Sequence, residues 1–252
     1  MMSKHSLSGK VVLVGGGAKN LGGLISRTFA AEDAKVVVHY NSASTQADAE
    51  KTVAEITSAG GTAIAVQGDF TKVADVIAAF AAAKQRYGGI DIAINTVGKV
   101  LKKPFIETTE ADYDAMAAIN SKAAYFFIQE AGKQLNDGGK ICTIVTSLLA
   151  AYTGLYSTYG GMKAPVEHFT RAASKEFGGR GISVTAVGPG PMDTPFFYGQ
   201  ETPEAVAYHK SASALGGLTK IEDIVPLVKF LVTDGWWITG QTIFANGGYT
   251  TR

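Results

Sequence analysis

Seven short β-branched, apolar runs recur along the chain at Val11–Val14, Val36–Val38, Ala63–Val66, Ile90–Ile94, Ile141–Val145, Ile182–Val187 and Thr242–Ala245. They read as continuously apolar rather than alternating, the pattern of strands covered on both faces in a parallel sheet. Parallel neighbours cannot be joined by a tight turn, so each pair needs a long crossover. The intervening segments have helical length and composition: Gly22–Asp33, Ala43–Ala59, Ala74–Tyr87, Glu110–Leu135, Ser157–Phe177 and Ile221–Val232. Two starts are legible as capping signals, Thr108 or Thr109 before Glu110, and Thr219 before Glu222 and Asp223. The expected class is therefore α/β, a doubly wound sheet of about seven parallel strands with helices on both faces. No repeat, low-complexity tract or linker divides residues 1–252, so one domain is expected. The exception to regular structure is Gly188–Gly217, which holds Pro189, Pro191, Pro195 and Pro203 and reads as a loop or lid on the substrate side.

Composition narrows the function classes. A formal net charge of +1 disfavours nucleic acid and membrane surfaces as partners. The single cysteine, Cys142, excludes an intrachain disulfide, and the four scattered histidines (His5, His39, His168, His209) have no metal spacing. Met1–Lys10 has no apolar core of a secretory signal, and no apolar run reaches membrane-spanning length, so a cytoplasmic location is expected. Glycine is in excess, 30 residues of 252, which implies tight turns or close approach of backbone to a ligand.

One such place is Gly15-Gly16-Gly17-Ala18-Lys19-Asn20-Leu21-Gly22-Gly23, between the first strand and the first helix. Glycine-rich backbone there lets a pyrophosphate sit on free N–H groups at the positive end of a helix. A second place is Tyr159-Gly160-Gly161-Met162-Lys163, where tyrosine and lysine four apart share a helix face. An ammonium beside a phenol favours the phenolate, lowering its pKa towards values useful for acid/base work. Upstream, Thr146-Ser147 ends a strand, at the sheet edge where a hydroxyl can reach a ligand. Each feature alone also fits an ordinary turn, helix surface or strand end.

Taken in order, Gly16, Asn20 and Gly22, then Asn95-Thr96-Val97-Gly98, Asn120, Ser147, Tyr159-x-x-x-Lys163 and Pro189-Gly190 resemble the short-chain dehydrogenase/reductase superfamily in its single-domain, Rossmann-type form. The resemblance runs from Lys10 to the closing Gly247-Gly248. It implies that Tyr159 protonates a carbonyl as hydride arrives, that Lys163 holds the nicotinamide ribose and tunes the tyrosine, and that Ser147 donates to the substrate oxygen. Thr146 competes for that last role, because a gapless comparison lands on it. Asn120 would anchor a water relay to the lysine, or be a locally bonded helix residue. The cofactor set implied is Gly16, Lys19, Asn20, Leu21, Tyr40, Asn41, Ser42, Asp69, Phe70, Asn95, Val97, Gly98, Tyr159, Lys163, Pro189, Gly190, Met192 and Thr194.

Two departures lie in the phosphate loop. Asn20 stands for the family's middle glycine and tolerates left-handed backbone better than most residues. Gly15 stands where threonine is usual. At the end of the second strand, His39-Tyr40-Asn41-Ser42 lacks the carboxylate that NAD-preferring members use, and Lys19 offers a cation, so NADP(H) is the expected cofactor. The lesser alternative for Lys19 is a solvated loop charge. No metal is expected.

Met192, Phe196, Phe197, Tyr198, Leu148, Leu149, Tyr152 and Tyr156 would surround a substrate or be ordinary core. An apolar pocket points to a small hydrophobic carbonyl or alcohol, hence a carbonyl reductase. The alternatives are a 3-oxoacyl-thioester reductase acting on a carrier protein, for which Lys99, Lys102 and Lys103 could form a docking patch, and a nucleotide-sensing protein without catalysis. Family members commonly pair two long helices, here Glu110–Leu135 and Ser157–Phe177, so a homotetramer or homodimer is expected. Their apolar faces are Tyr113, Met116, Ala117, Asn120 and Ala124, and Val166, Phe169 and Ala173. Trp236-Trp237 reads as packing or subunit contact.

Overall fold

The computed structural model describes residues 5–251. Seven strands form one sheet: β1 (Val11–Gly15), β2 (Lys35–Tyr40), β3 (Thr62–Gln67), β4 (Ile92–Asn95), β5 (Lys140–Ile144), β6 (Ser183–Pro189) and β7 (Thr242–Ala245). Their order is β3-β2-β1-β4-β5-β6-β7, every pair parallel. All seven expected strands are present, with ends that differ by at most two residues. Burial on both faces holds for the five inner strands, whereas edge strand β3 is half exposed and β7 only partly covered.

Helices α1 (Asn20–Ala30), α2 (Gln46–Ser58) and α9 (Ile221–Val232) cover one face, through Leu21, Ile25, Phe29, Ile56, Ile224 and Val228. Helices α3 (Val73–Tyr87), α5 (Ala123–Gln134) and α6 (Ser157–Phe177) cover the other, through Val76, Phe80, Phe127, Ile128 and Ala173. The chain leaves β1 in one direction to build β2 and β3, then returns to place β4 on the other side of β1. That reversal opens a crevice at the carboxyl ends of β1 and β4, where doubly wound sheets bind ligands. Register puts Gly15 beside Asn95 at its floor.

Three expectations change. The segment expected as one helix over 110–135 is α4 (Glu110–Met116), a π-helical turn at Ala117–Lys122, and α5. A π turn inserts one extra residue per turn and often marks a working site; here it carries Asn120. The 188–217 segment is not irregular throughout, since it contains α7 (Pro195–Tyr198) and α8 (Pro203–Ala212), each starting with a proline whose missing N–H costs nothing there. Of the two capping signals, Thr109 caps α4 as a capping box with Asp112. The cap of α9 falls on Lys220, whose N–H donates to the Asp223 carboxylate, because Thr219 pairs with Met192 instead.

Candidate active site

The crevice is built first from backbone. Gly16 has φ +74, and a Cβ on it would lie 2.6 Å from Thr96 Oγ1. A Cβ on Gly22 would lie 2.1 Å from the Gly16 carbonyl oxygen, so α1 can start this close to the loop only with glycine there. Asn20 takes φ +48, the left-handed backbone that asparagine tolerates. Gly15 is also tightly enclosed: a Cβ would meet Asn95 Oδ1, Phe70 and Phe127 at 3.2 Å each, so the family's threonine would need those neighbours to shift.

His39 fastens this loop. Gly16 N–H donates to its Nδ1 at 2.9 Å, and Nε2 faces the Gly68 carbonyl at 2.7 Å, which fixes the neutral tautomer with hydrogen on Nε2. Burial pushes its pKa down to about 4, so the ring stays neutral at physiological pH. The imidazole stacks on Phe70 with centroids 3.6 Å apart. The side chain of Phe70, a residue expected to touch the cofactor, is buried beneath the loop. His39 was visible in the sequence only as a residue that is not a carboxylate.

A groove of about 1350 Å³, open solvent at its mouth included, runs along the carboxyl edge from α1 to the base of α7. It brings together Gly16, Lys19, Asn20 and Leu21, then Tyr40 and Asn41, Val97 and Gly98, Tyr159 and Lys163, and finally Met192 and Thr194. Ser42 and Asp69 line an adjoining recess. The Asp69 carboxylate accepts from the Thr71 N–H and hydroxyl, which hold its pKa below the ordinary value. Asn95 is buried with Oδ1 accepting from Val97 N–H, and its Nδ2 has no protein partner. Lys19 is not a lone cation: its ammonium pairs with Asp48 of α2 at 2.7 Å.

At the middle of the groove, α6 presents Tyr159 and Lys163. Lys163 is buried and donates to the carbonyls of Ile144 (2.9 Å) and Val97 (3.4 Å). Burial lowers its pKa to about 8. A Cβ at Gly98 would lie 2.9 Å from both Lys163 Nζ and Asn120 Oδ1, so glycine makes room for the two side chains. Asn120 clamps the backbone of Lys99, accepting from its N–H at 3.1 Å and donating to its carbonyl at 2.9 Å, and also donates to Met116 O. The π turn thus aims the amide at the β4–α4 connection.

The phenol of Tyr159 is raised to about 12 by burial, opposed by a hydrogen bond with Thr146. The expected lowering by the lysine ammonium does not dominate, because burial of the phenol is the largest effect on it. Ser147 was expected to donate to the substrate oxygen, with Thr146 as its competitor. The chain stays extended through Thr146 and only then turns, at Ser147–Ala150. Thr146 is therefore the hydroxyl that reaches Tyr159, while Ser147 lines the same pocket nearby.

Beside Tyr159 opens a pocket of about 600 Å³, mouth included, walled by Val145, Leu148, Tyr156, Pro189, Gly190, Met192, Phe196 and Phe197. Of the residues expected here, Tyr152 is fully exposed, Tyr198 is exposed and bonded to Asp193, and Leu149 packs against the core. Sequence reasoning missed Val100, Gln200, Glu201 and His209. Thr194 is buried with a hydroxyl that has no protein partner, at the end of the groove next to this pocket. The lysines read as a docking patch are largely matched internally, Lys102 by Glu201 and Lys103 by Asp112. Among the described residues no helix is long and apolar enough to cross a membrane, and no cluster could hold a metal.

Comparison with known proteins gives consistent findings. Residues 16–250 match the family model described as enoyl-(acyl carrier protein) reductase. A putative dehydrogenase from Burkholderia cenocepacia, solved with bound NADP, is 64% identical over 100% of this chain and 97% of its own, with a TM-score of 0.97. A hydroxynaphthalene reductase-like protein, Arp2, of Metarhizium brunneum is 35% identical over 98% of this chain and 97% of its own length. A chloroplastic NADPH-dependent aldehyde reductase-like protein of Arabidopsis thaliana is 33% identical over 98% and 100%.

Proposed function

The chain belongs to the short-chain dehydrogenase/reductase superfamily, and from that premise we propose that it is an NADP(H)-dependent carbonyl reductase acting on a small, largely apolar ketone or aldehyde, reversible as an alcohol dehydrogenase. The residues fit the cofactor. Gly16 and Gly22 make a cradle that a Cβ would fill, and the orphaned Thr194 hydroxyl and Asn95 amide are buried donors waiting for acceptors. No carboxylate ends β2 to repel a 2′-phosphate, for which Asn41, Ser42 and Lys19 are placed. Bound in the groove, the reduced nicotinamide supplies a hydride.

The chain's own groups do the rest. Tyr159, fully protonated at neutral pH, gives its proton to the carbonyl oxygen as the C–H bond forms, so that C=O becomes CH–OH. The Thr146 hydroxyl donates to the same oxygen as negative charge develops. Lys163 sits next to the phenol as a cation of lowered pKa, and Asn120 holds the Lys99 backbone that frames it. The single observation that carries the reading is the buried Thr146–Tyr159–Lys163 constellation lying between a phosphate-type glycine loop and an apolar pocket. Assembly as a homotetramer or homodimer is part of the proposal, and the chain is taken to act in the cytoplasm.

The test is a panel of ketones and aldehydes with purified protein, following NADPH consumption. At least one member should be reduced, with NADPH favoured over NADH. Turnover of none, or of NADH equally well, would end the respective part of the proposal.

A further inference from the structure

A buried histidine closes the end of β2, and the proton transfer described above makes no use of it. His39 is 2% exposed and lies at the floor of the cofactor groove. Its ring stands between two backbone groups of opposite kind. The Gly16 N–H of the phosphate loop lies 2.9 Å from Nδ1, and the Gly68 carbonyl, just past β3, lies 2.7 Å from Nε2. A neutral imidazole carries one acceptor and one donor on a single rigid ring, so it answers both groups at once. Phe70, stacked on the ring with centroids 3.6 Å apart, fixes its plane.

The neighbouring carbonyls of the loop are held by hydroxyls. Thr96 donates to Gly15 O at 2.8 Å, Ser26 to Gly17 O at 3.1 Å and Thr52 to Ala18 O at 2.7 Å. These bonds occupy the loop's acceptors and leave the positive end of α1 to face an anion. Gly16, at φ +74, is where the chain turns towards α1, and its N–H is the group that His39 holds. Without the imidazole that N–H must reach water or stay unpaired, and a buried donor without an acceptor is costly. The loop would then spend part of its time in other conformations. Apparent affinity for a dinucleotide falls with the fraction that keeps the binding shape.

We propose that His39 is a positioning residue for the cofactor: its two hydrogen bonds hold the phosphate loop in the binding conformation before the dinucleotide arrives. This rests on the NADP(H) reading above and adds the residue that sets affinity for the part common to NADP(H) and NAD(H). Lys19 and Asp48 act at the 2′-phosphate, which only one of the two cofactors carries. His39 acts on the loop that receives the pyrophosphate of both. Its loss therefore weakens both nucleotides by the same factor. The rate at saturating cofactor stays as it was, because Tyr159 and Lys163 stand on α6 and are held by other groups.

The test measures calorimetric binding of NADP+ and NAD+ to the wild type and three variants, with thermal unfolding recorded for each. His39→Asn places an acceptor at the δ position, where Nδ1 stands, and keeps the bond to Gly16. His39→Gln carries its polar group one bond further out, towards Gly68 and away from Gly16. His39→Leu removes both bonds. The leucine and glutamine variants should bind both nucleotides roughly fivefold or more weakly, about what one lost hydrogen bond is worth, while asparagine stays within about twofold of the wild type. With a ketone that the wild type reduces, the Michaelis constant for NADPH should rise in the same proportion at unchanged kcat.

Equal affinities in all four proteins, whatever their melting temperatures, would overturn the assignment and leave His39 as a core residue. So would weakening confined to NADP+, or an asparagine variant no better than the glutamine one. Should the leucine variant not fold, the comparison of asparagine with glutamine decides alone. Binding that follows the expected series without turnover of any ketone would keep His39 and reject the reductase. A wild type that binds neither nucleotide would reject the NADP(H) reading, and the role of His39 with it.

Discussion

Two hydroxyls one residue apart compete for the oxyanion, and backbone conformation decides between them. Thr146 is the last extended residue beyond β5 and shares a hydrogen bond with Tyr159, whereas Ser147 opens the following turn. Removing one donor preplaced for a developing oxyanion costs about 10²–10³-fold in turnover. Thr146→Val should therefore lose on that order, and Ser147→Ala much less; steady-state kinetics on both variants check it, and the reverse ranking would restore Ser147. Residue types at Tyr159, Lys163 and Asn120 were legible in the sequence because few residues can do that chemistry. What was not legible is which partner each side chain selects, since Lys163 turning to the Ile144 carbonyl depends on where the end of β5 lies in space.

At the scale of elements, the β1–α1 loop, the end of β2 and the start of α2 act as one unit. His39 ties Gly16 to Gly68, and Asp48 of α2 reaches back to Lys19. Asp48 has no role in the sequence reading, because sequence spacing does not reveal which way the first turn of α2 faces. Its carboxylate competes with a 2′-phosphate for the Lys19 ammonium. Asp48→Asn should lower the Michaelis constant for NADPH, and Lys19→Ala should raise it several-fold, with that for NADH nearly unchanged in both. Lys19 and Asp48 are both partly exposed, so the effects should weaken as salt rises. The π turn in the middle of the expected 110–135 helix was hidden for another reason: its sequence, Ala117–Lys122, has the same periodicity as ordinary helix, and only packing of Asn120 on Lys99 shows the inserted residue.

For the whole molecule, the parallel pairing and the double covering of the sheet were readable from continuous apolar runs and crossover helices, whereas the strand order was not, because nothing in those runs says which strands are neighbours. Legibility failed on the substrate side, where α7 and α8 are short and half exposed, and the polar pocket residues Glu201, between them, and His209, on α8, look like surface in sequence. Assembly also belongs to this scale. Met116, Val166 and Ala173, read as interface candidates, are buried in the chain's own core, while Phe105, Ile106, Tyr113 and Tyr125 stay exposed around α4 and α5, Ile106 at 94%. Light scattering at micromolar concentration should give the mass of a dimer or tetramer, and a monomer would refute the proposed assembly. The central claim is that Tyr159 delivers the proton to a carbonyl reduced with NADPH, and Tyr159→Phe isolates it. With a ketone that the wild type reduces, this variant should bind NADPH with unchanged affinity yet lose about 10²-fold or more in turnover. A variant that keeps more than a tenth of the wild-type rate would contradict the account.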